Sequence, residues 1–318
     1  MKKNSSEVIK QLLKKNKNLR TADTAGLDYE RIPFNIPALD KLTGGGIPKK
    51  RFTLLYGPTN VGKSYLASQI VANVQKEGGV AAWIDTELSF DVEWAKKCGV
   101  DTKKLLYFDP TIGEVAFDII RELMRGVDAG VVDVIVLDSI AGLVPTNIVD
   151  NDFSHSPMAW QARFVNGALP KLLPNLKYGS AFVAINQVRA SVGPTALDNM
   201  PGGLAQSFFA HFLMQVRRKG WLEEGKDKEK VGFDMDVRLR KSKVGGENWK
   251  SVLVPFRVSG GIDIIESHIR EAIKQGIIQQ AGAWYTYKDT KAMGMNGIKK
   301  AFLENPTLFE GLQSDLTA

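Results

Sequence analysis

The sequence predicts an α/β protein with a mostly parallel central sheet, a short N-terminal helical segment and a small C-terminal α/β lobe. Three observations carry this. Between about residues 50 and 190, short apolar runs alternate with stretches of helical spacing, the pattern of a parallel sheet with crossover helices. Further apolar runs after residue 210 lie closer together, as antiparallel strands do. A glycine-rich turn, GPTNVGKS, joins the first buried strand to the first long helix.

The elements follow in order. Residues 1 to 20 hold seven basic side chains against one acid, Glu7, and so carry six of the seven net positive charges of the chain. The basic character belongs to this segment, and the remaining body is close to neutral. Val8, Ile9, Leu12 and Leu13 fall at helical spacing, which predicts a short basic amphipathic helix. Three readings stand for it: a solvated end, a dock on a neighbouring subunit, or a contact with a polyanion. Strands are expected at 52–56, 80–85, 105–109, 132–138 and 180–186, with helices near 63–76, 91–98, 114–126 and 158–177. Pro170 and Pro174 fall inside the last of these helices, so a break at 169 or a strong bend is expected there. Residues 211–217, 233–241 and 250–257 read as antiparallel strands, with EEGKDKEK (223–230) as a charged connection. The last lobe begins near Glu266. The domain boundaries expected are 1–30, 31–265 and 266–318.

At 44% hydrophobic and 24% charged residues, the composition is that of a water-soluble globular protein. No apolar run reaches the length of a membrane span, and the lysine-rich start lacks the apolar stretch of a secretion signal. A lone Cys98 cannot form an internal disulfide, which fits a reducing cytoplasm.

GPTNVGKS satisfies the pattern G-x-x-x-x-G-K-[ST] in full, in strand–turn–helix context. Backbone N–H groups from Gly57, Pro58, Thr59, Asn60, Val61 and Gly62 onward (proline supplying only its shape) would wrap phosphates at a helix N-terminus. Lys63 would reach the β- and γ-phosphates of ATP, and the Ser64 hydroxyl would bind Mg²⁺. VIVLDS (134–139) ends a buried strand in Asp138, a second Mg²⁺-directed oxygen. WIDTE (83–87) ends another strand in two acids, Asp85 and Glu87, either of which can orient a hydrolytic water. INQVR (185–189) ends a strand in amides, and Gln187 is placed to sense a γ-phosphate. The following VRASVGPTALDNMPGG is too long a loop for a mere connection. In RLRKSKVGGEN (238–248), Lys241 and Lys243 share one face of an extended chain and call for an anion opposite them. DNA, a nucleotide or solvent ions each satisfy that demand. Arg238 and Arg240 face the other way.

The order GPTNVGKS, IDTE, VIVLDS, INQVR, a glycine-rich loop closed by GG, then RKSK resembles a RecA-type recombinase. GIIQQAGAWYTYKDTKAMGMNGIKKAFLENP (276–306) is similar to the small C-terminal lobe of bacterial members, so the likeness spans about residues 31 to 312. It implies a RecA-like P-loop NTPase core. It also implies a DNA-dependent ATPase that forms helical filaments on single-stranded DNA and pairs it with homologous duplex DNA in recombination and repair. By position it implies Glu87 as the catalytic glutamate, Gln187 as the nucleotide sensor, and Asp91 and Trp94 as adenine contacts. Met158 and Arg163 match a first DNA loop at about 147–159. Arg189, Val192, Gly202 and Gly203 match a second at 188–204. Phe208 matches an interface aromatic, and Lys241 and Lys243 match lysines that reach the ATP of an adjacent subunit. A single-strand-binding protein or loader is a further implied partner; a membrane is not. The second loop is shorter than the family's and carries Pro194 and Pro201. Pro170 and Pro174 replace ordinary helix residues, and no long acidic tail follows LQSDLTA. These departures suit a phage-encoded or otherwise divergent member. Two other classes share parts of the pattern. A hexameric helicase shares the nucleotide core and does not need the C-terminal lobe. A non-catalytic paralogue usually has degraded nucleotide motifs, and these are intact. The near-neutral body predicts that DNA affinity comes from a focused stripe of Arg and backbone N–H groups, with moderate salt dependence.

Overall fold

A computed structural model describes residues 4–23, 30–128, 130–149, 157–188, 200–225 and 227–317. The chain forms two compact units, Met1–Glu30 and Arg31–Ala318. In the first, Ser5–Lys15 is an α-helix with Glu7 in its first turn and Lys14 and Lys15 in its last. Those charges complement the helix dipole.

The second unit is built on a nine-stranded sheet. From edge to edge it runs Gly261–Ile262, Ser251–Arg257, Glu229–Ser242, Phe212–Glu224, Phe52–Gly57, Ala181–Gln187, Val134–Asp138, Ala81–Asp85 and Leu105–Phe108. The six strands from Phe212–Glu224 to Leu105–Phe108 pair in parallel, and the other three join antiparallel. Strand Phe212–Glu224 therefore belongs to both regimes, where the sequence predicted antiparallel pairing alone. The long crossover that precedes it, including helix Ala205–Phe209, permits the parallel partner.

Strand alternation divides the core. Leu55, Val136 and Val183 face one side and pack under helix Lys63–Lys76 through Leu66, Ile70 and Val71. Leu54, Ile135 and Phe182 face the other, with Ile120, Met124, Val165 and Leu169 from helices Gly113–Arg125 and Pro157–Leu172. Burial on both faces explains the unbroken apolar runs. Four parallel strands end side by side in Gly57, Asp85, Asp138 and Gln187, the edge where α/β sheets place their ligands.

Two expectations gain detail. The helix does not break at 169: Pro157–Leu172 is continuous through Pro170 and passes into a 3₁₀ turn, Leu173–Tyr178. Leu169, Leu172 and Leu176 are anchored in the core, and the Asn175 side chain donates to the carbonyls of Lys171 (3.2 Å) and Leu172 (2.8 Å). Packing and that cap offset the one hydrogen bond that Pro170 cannot make. Within 223–230 the strands run further than expected, one ending at Glu224 and the next starting at Glu229, so the charged connection shortens to the residues between them. Pairing continues through Glu223 with Lys230 and Glu224 with Glu229. Trp221 lies under Arg218 at 4.4 Å and Lys230 at 4.9 Å, which gives the exposed ribbon its packing.

From Ile264 onward the chain has its own core. Helices Ile264–Lys274, Gly294–Glu304 and Pro306–Thr317 and the sheet Gln279–Ala281, Trp284–Tyr287 and Thr290–Met293 enclose Ile269, Tyr287, Ile298, Phe302 and Leu312. Arg257 ties this part to the large sheet. Its guanidinium pairs with Glu224, with Asp263 at 3.0 Å and with Glu266 at 2.8 Å. Glu266 is almost fully buried and also meets Arg270 (2.6 Å) and Lys299 (3.2 Å). Arg257→Met should cost about 3 kcal/mol of stability by chemical denaturation, because it removes one of the three cations that neutralise the buried Glu266. Lys96→Ala, which removes an exposed pair with Glu93, should change stability by less than about 1 kcal/mol.

His211 fixes the junction of two parallel strands. Its Nδ1 accepts the Phe52 N–H at 3.2 Å, and its own N–H donates to the Phe52 carbonyl at 2.8 Å. Burial, then the charges of Arg51, Lys243 and Lys241, hold the imidazole down to about 4. The unfolded chain binds that proton near pH 6.5 and the native chain near 4, so the native state loses this contribution as pH falls through that window. His211→Gln should flatten the stability profile between about pH 6.5 and 4, read as the parent–variant difference in denaturation midpoints.

Candidate active site

The phosphate loop begins where strand Phe52–Gly57 meets its neighbour too closely for a side chain. A Cβ on Gly57 would lie 2.0 Å from the carbonyl oxygen of Val216. Gly62 caps the following helix at φ +90°, in the left-handed region that favours glycine. The Lys63 ammonium folds back and donates to the carbonyls of Gly57 (3.1 Å) and Pro58 (2.5 Å). It is buried, which lowers its pKa, while Asp138 and Glu87 pull it up. Thr59, Asn60 and Val61 complete the loop, with Asn60 at φ 57°.

Asp138 is pushed up to about 6 by burial, against the hydrogen bond with Ser64 and with help from the charges of Glu87 and Asp85. A buried carboxylate beside a hydroxyl, short of positive charge, is a hard-oxygen pair suited to a divalent cation of the Mg²⁺ class. Among the described residues no group of three or more His, Cys, Asp or Glu side chains forms a separate metal cluster.

Asp85 and Glu87 stand in different surroundings. Asp85 is fully buried, and its oxygens accept the N–H groups of Glu87 (3.1 Å), Ser89 (2.9 Å) and Phe90 (2.9 Å) and the Tyr107 hydroxyl (3.2 Å). Its valence is spent on shaping the turn. The Glu87 carboxylate instead accepts the Ser139 hydroxyl and both contacts of Gln187 Nε2, at 2.8 and 3.0 Å. Glu87, Gln187, Lys63 and Asp138 thus share one site. Ser139, next to Asp138 in VIVLDS, was not read as a site residue; nothing in a lone serine after a strand marks it as the partner of an acid fifty-two residues earlier.

Asp91 caps helix Val92–Lys97, its Oδ1 accepting the Trp94 N–H at 2.9 Å. The Trp94 ring stands edge-on to Tyr65, with the Lys97 ammonium 5.6 Å from its centroid. Lys241 and Lys243 do share one side, as the spacing predicted. Lys241 Nζ donates to the carbonyls of Ser207 (2.8 Å) and Phe208 (2.9 Å), and Lys243 Nζ to that of Phe208 (3.1 Å). Burial and the Lys243 charge lower the pKa of Lys241. The Phe208 ring is 70% exposed, so the apolar surface lies beside the two ammonium groups. Arg163 lies over the Trp160 ring at 5.6 Å. Gly202 and Gly203 have φ of 79° and 75°. Met158 lies in helix Pro157–Leu172, but its side chain, like Arg189 and Val192, falls outside the described residues. No helix among the described residues is long and apolar enough to cross a membrane.

The chain is similar to known proteins over most of its length. The family model for the RecA N-terminal domain matches residues 3–263. "Protein RecA" of Acidothermus cellulolyticus is 36% identical over 303 residues, covering 94% of this chain and 86% of the relative. That of Aquifex aeolicus is 37% identical over 289 residues, with 89% and 82% covered. That of Acinetobacter baumannii is 34% identical over 316 residues, with 98% and 88% covered. With a G-x-x-x-x-G-K-[ST] turn, an acid–amide pair on a neighbouring strand end and this extent of likeness, the chain belongs to the RecA family.

Proposed function

We propose that this chain is a DNA-dependent ATPase that assembles as a helical filament on single-stranded DNA and exchanges strands with homologous duplex DNA. As a RecA-family protein it acts in DNA recombination and repair. The observation that carries the chemical reading is the convergence of Lys63, Asp138, Glu87 and Gln187 at the carboxyl ends of neighbouring parallel strands.

Residues 57 to 64 hold the triphosphate of ATP, Lys63 turning its ammonium from the Gly57 and Pro58 carbonyls to the phosphates. Ser64 and Asp138 would hold Mg²⁺, which when bound supplies positive charge to the phosphate oxygens. Glu87 orients and deprotonates the attacking water. Gln187 exchanges its bonds to Glu87 for a γ-phosphate oxygen. Trp94 and Asp91 receive the adenine. Lys241 and Lys243 release their carbonyl partners and reach the γ-phosphate of a neighbouring subunit, with Phe208 packing across the same junction. Arg163, Met158, Arg189, Val192, Gly202 and Gly203 line the single strand. A single-strand-binding protein or loader in the cytoplasm, or in a host cytoplasm, prepares that strand.

Strand invasion with ATP and Mg²⁺ tests the whole reading: the parent should pair homologous strands, and ATP hydrolysis on DNA without pairing would defeat it. Glu87→Gln should lower turnover by about 10²–10⁴-fold with nucleotide affinity retained, and Lys63→Ala should lose nucleotide binding.

A mixing experiment tests the cross-subunit role. Lys243→Ala and Glu87→Gln should each be inactive alone. In a random mixture about a quarter of head-to-tail interfaces carry both intact residues, so activity should return to about that fraction of parental turnover. No recovery on mixing would place Lys243 in the same site as its own Glu87.

A further inference from the structure

Glu87 and Gln187 stand at the head of a chain of buried amides. Asn186, immediately before Gln187, and Gln206 both have no exposed surface. Asn186 Nδ2 donates to Gln206 Oε1 and to the Pro201 carbonyl, each at 2.8 Å. Its Oδ1 accepts the Gln187 N–H, also at 2.8 Å. Gln206 Nε2 donates to the carbonyls of Pro201 (2.6 Å) and Gly203 (2.9 Å). All four polar atoms of the two side chains are therefore engaged. The bonds run from the strand that ends at Gln187 to the C-terminal root of the glycine-rich segment.

A third amide serves the other segment. Gln161 lies in helix Pro157–Leu172, which follows residues 147–159. Its Nε2 donates to the carbonyls of Ile140 (3.1 Å), Ala141 (2.9 Å) and Leu143 (2.9 Å). That turn begins at Ser139, whose hydroxyl holds Glu87. The two roots also touch. A Cβ on Gly202 would lie 2.9 Å from Ile140 Cγ2, and one on Gly203 would lie 3.2 Å from Ala162 Cβ.

Nothing about packing alone requires amides here. A buried polar network is costly unless every member is satisfied, and when satisfied it enforces one arrangement. Glu87 and Gln187 hold each other, so an anion arriving between them repels the carboxylate and draws the amide. Any shift of the Gln187 backbone pulls on Asn186 Oδ1, and any shift of Glu87 pulls on the Ser139 turn. We propose that Asn186, Gln206 and Gln161 are positioning residues that carry occupancy of the γ-phosphate pocket to the roots of both segments assigned to DNA. This rests on the reading of the chain as a nucleotide-coupled DNA-binding protein.

Linkage gives the test. Nucleotide and DNA must change each other's affinity by the same factor, of the order of 5–150-fold for coupled sites. The full-length parent, Gln206→Leu and Gln161→Leu are titrated against a labelled oligothymidylate, with and without a non-hydrolysable ATP analogue and Mg²⁺. The expected result is a ratio of the two affinities at least about threefold smaller in each variant than in the parent, with nucleotide-free affinity within about twofold of the parental value. Gln161 is only half-buried, so its variant keeps the test open if Gln206→Leu does not fold; thermal unfolding checks both. A folded variant with the parental ratio overturns the inference alone. A parent whose DNA affinity ignores the nucleotide overturns the proposed function, and this inference with it.

Discussion

Parallel pairing in register sets Asp85 directly beside Asp138, and the rest of the site follows from what that juxtaposition demands. Two buried carboxylates on adjacent strands repel unless each is satisfied differently. Asp85 is satisfied by three backbone N–H groups and a tyrosine hydroxyl, and in being so it bends the chain that presents Glu87. Asp138 has Ser64 and the field of Lys63, and stays short of positive charge. The sheet thus builds one structural acid and one under-neutralised acid from nearly identical strand ends. The GPTNVGKS turn lies at the same edge of the sheet and brings the only buried ammonium among the described residues, Lys63.

Much of this was legible in the sequence because the relevant signals are local. Five apolar runs bounded by glycine, acids or amides became strands within a residue or two of their expected limits, and in the four inner ones burial on both faces leaves no polar position to blur them. GPTNVGKS was legible for the opposite reason: its backbone geometry tolerates few other residues. The unread parts depend on distant partners. Spacing could not separate Asp85 from Glu87, because the difference lies in which carboxylate the turn consumes. Nothing local marks Gln161 or Gln206, because only folding brings carbonyls into reach of their amides. The strand ends at Glu223–Glu224 and Glu229–Lys230 carry charge, which cross-strand pairing and the Trp221 stack make compatible with a strand. Pro170 leaves a break and a bend equally open in sequence, and anchoring in the core is what keeps the helix continuous.

The C-terminal part is joined to the large sheet by a different kind of contact. Arg257, Arg270 and Lys299 surround the buried Glu266, with Asp234, Asp263 and Glu224 at the periphery. An apolar seam would tolerate sliding. A charge network with fixed donors holds one orientation and penalises others, which suits a joint that must keep its angle through many repeats of an assembly.

The lysine pair has a kinetic meaning as well. In the isolated chain both ammonium groups rest on the carbonyls that close helix Ala205–Phe209, the end of a helix where oxygens carry partial negative charge. These neutral acceptors act as placeholders. A free subunit therefore offers no naked pair of cations to stray nucleotides or nucleic acid, and a phosphate must outbid the helix end before it captures them. Such exchange discriminates against weak or partial anions.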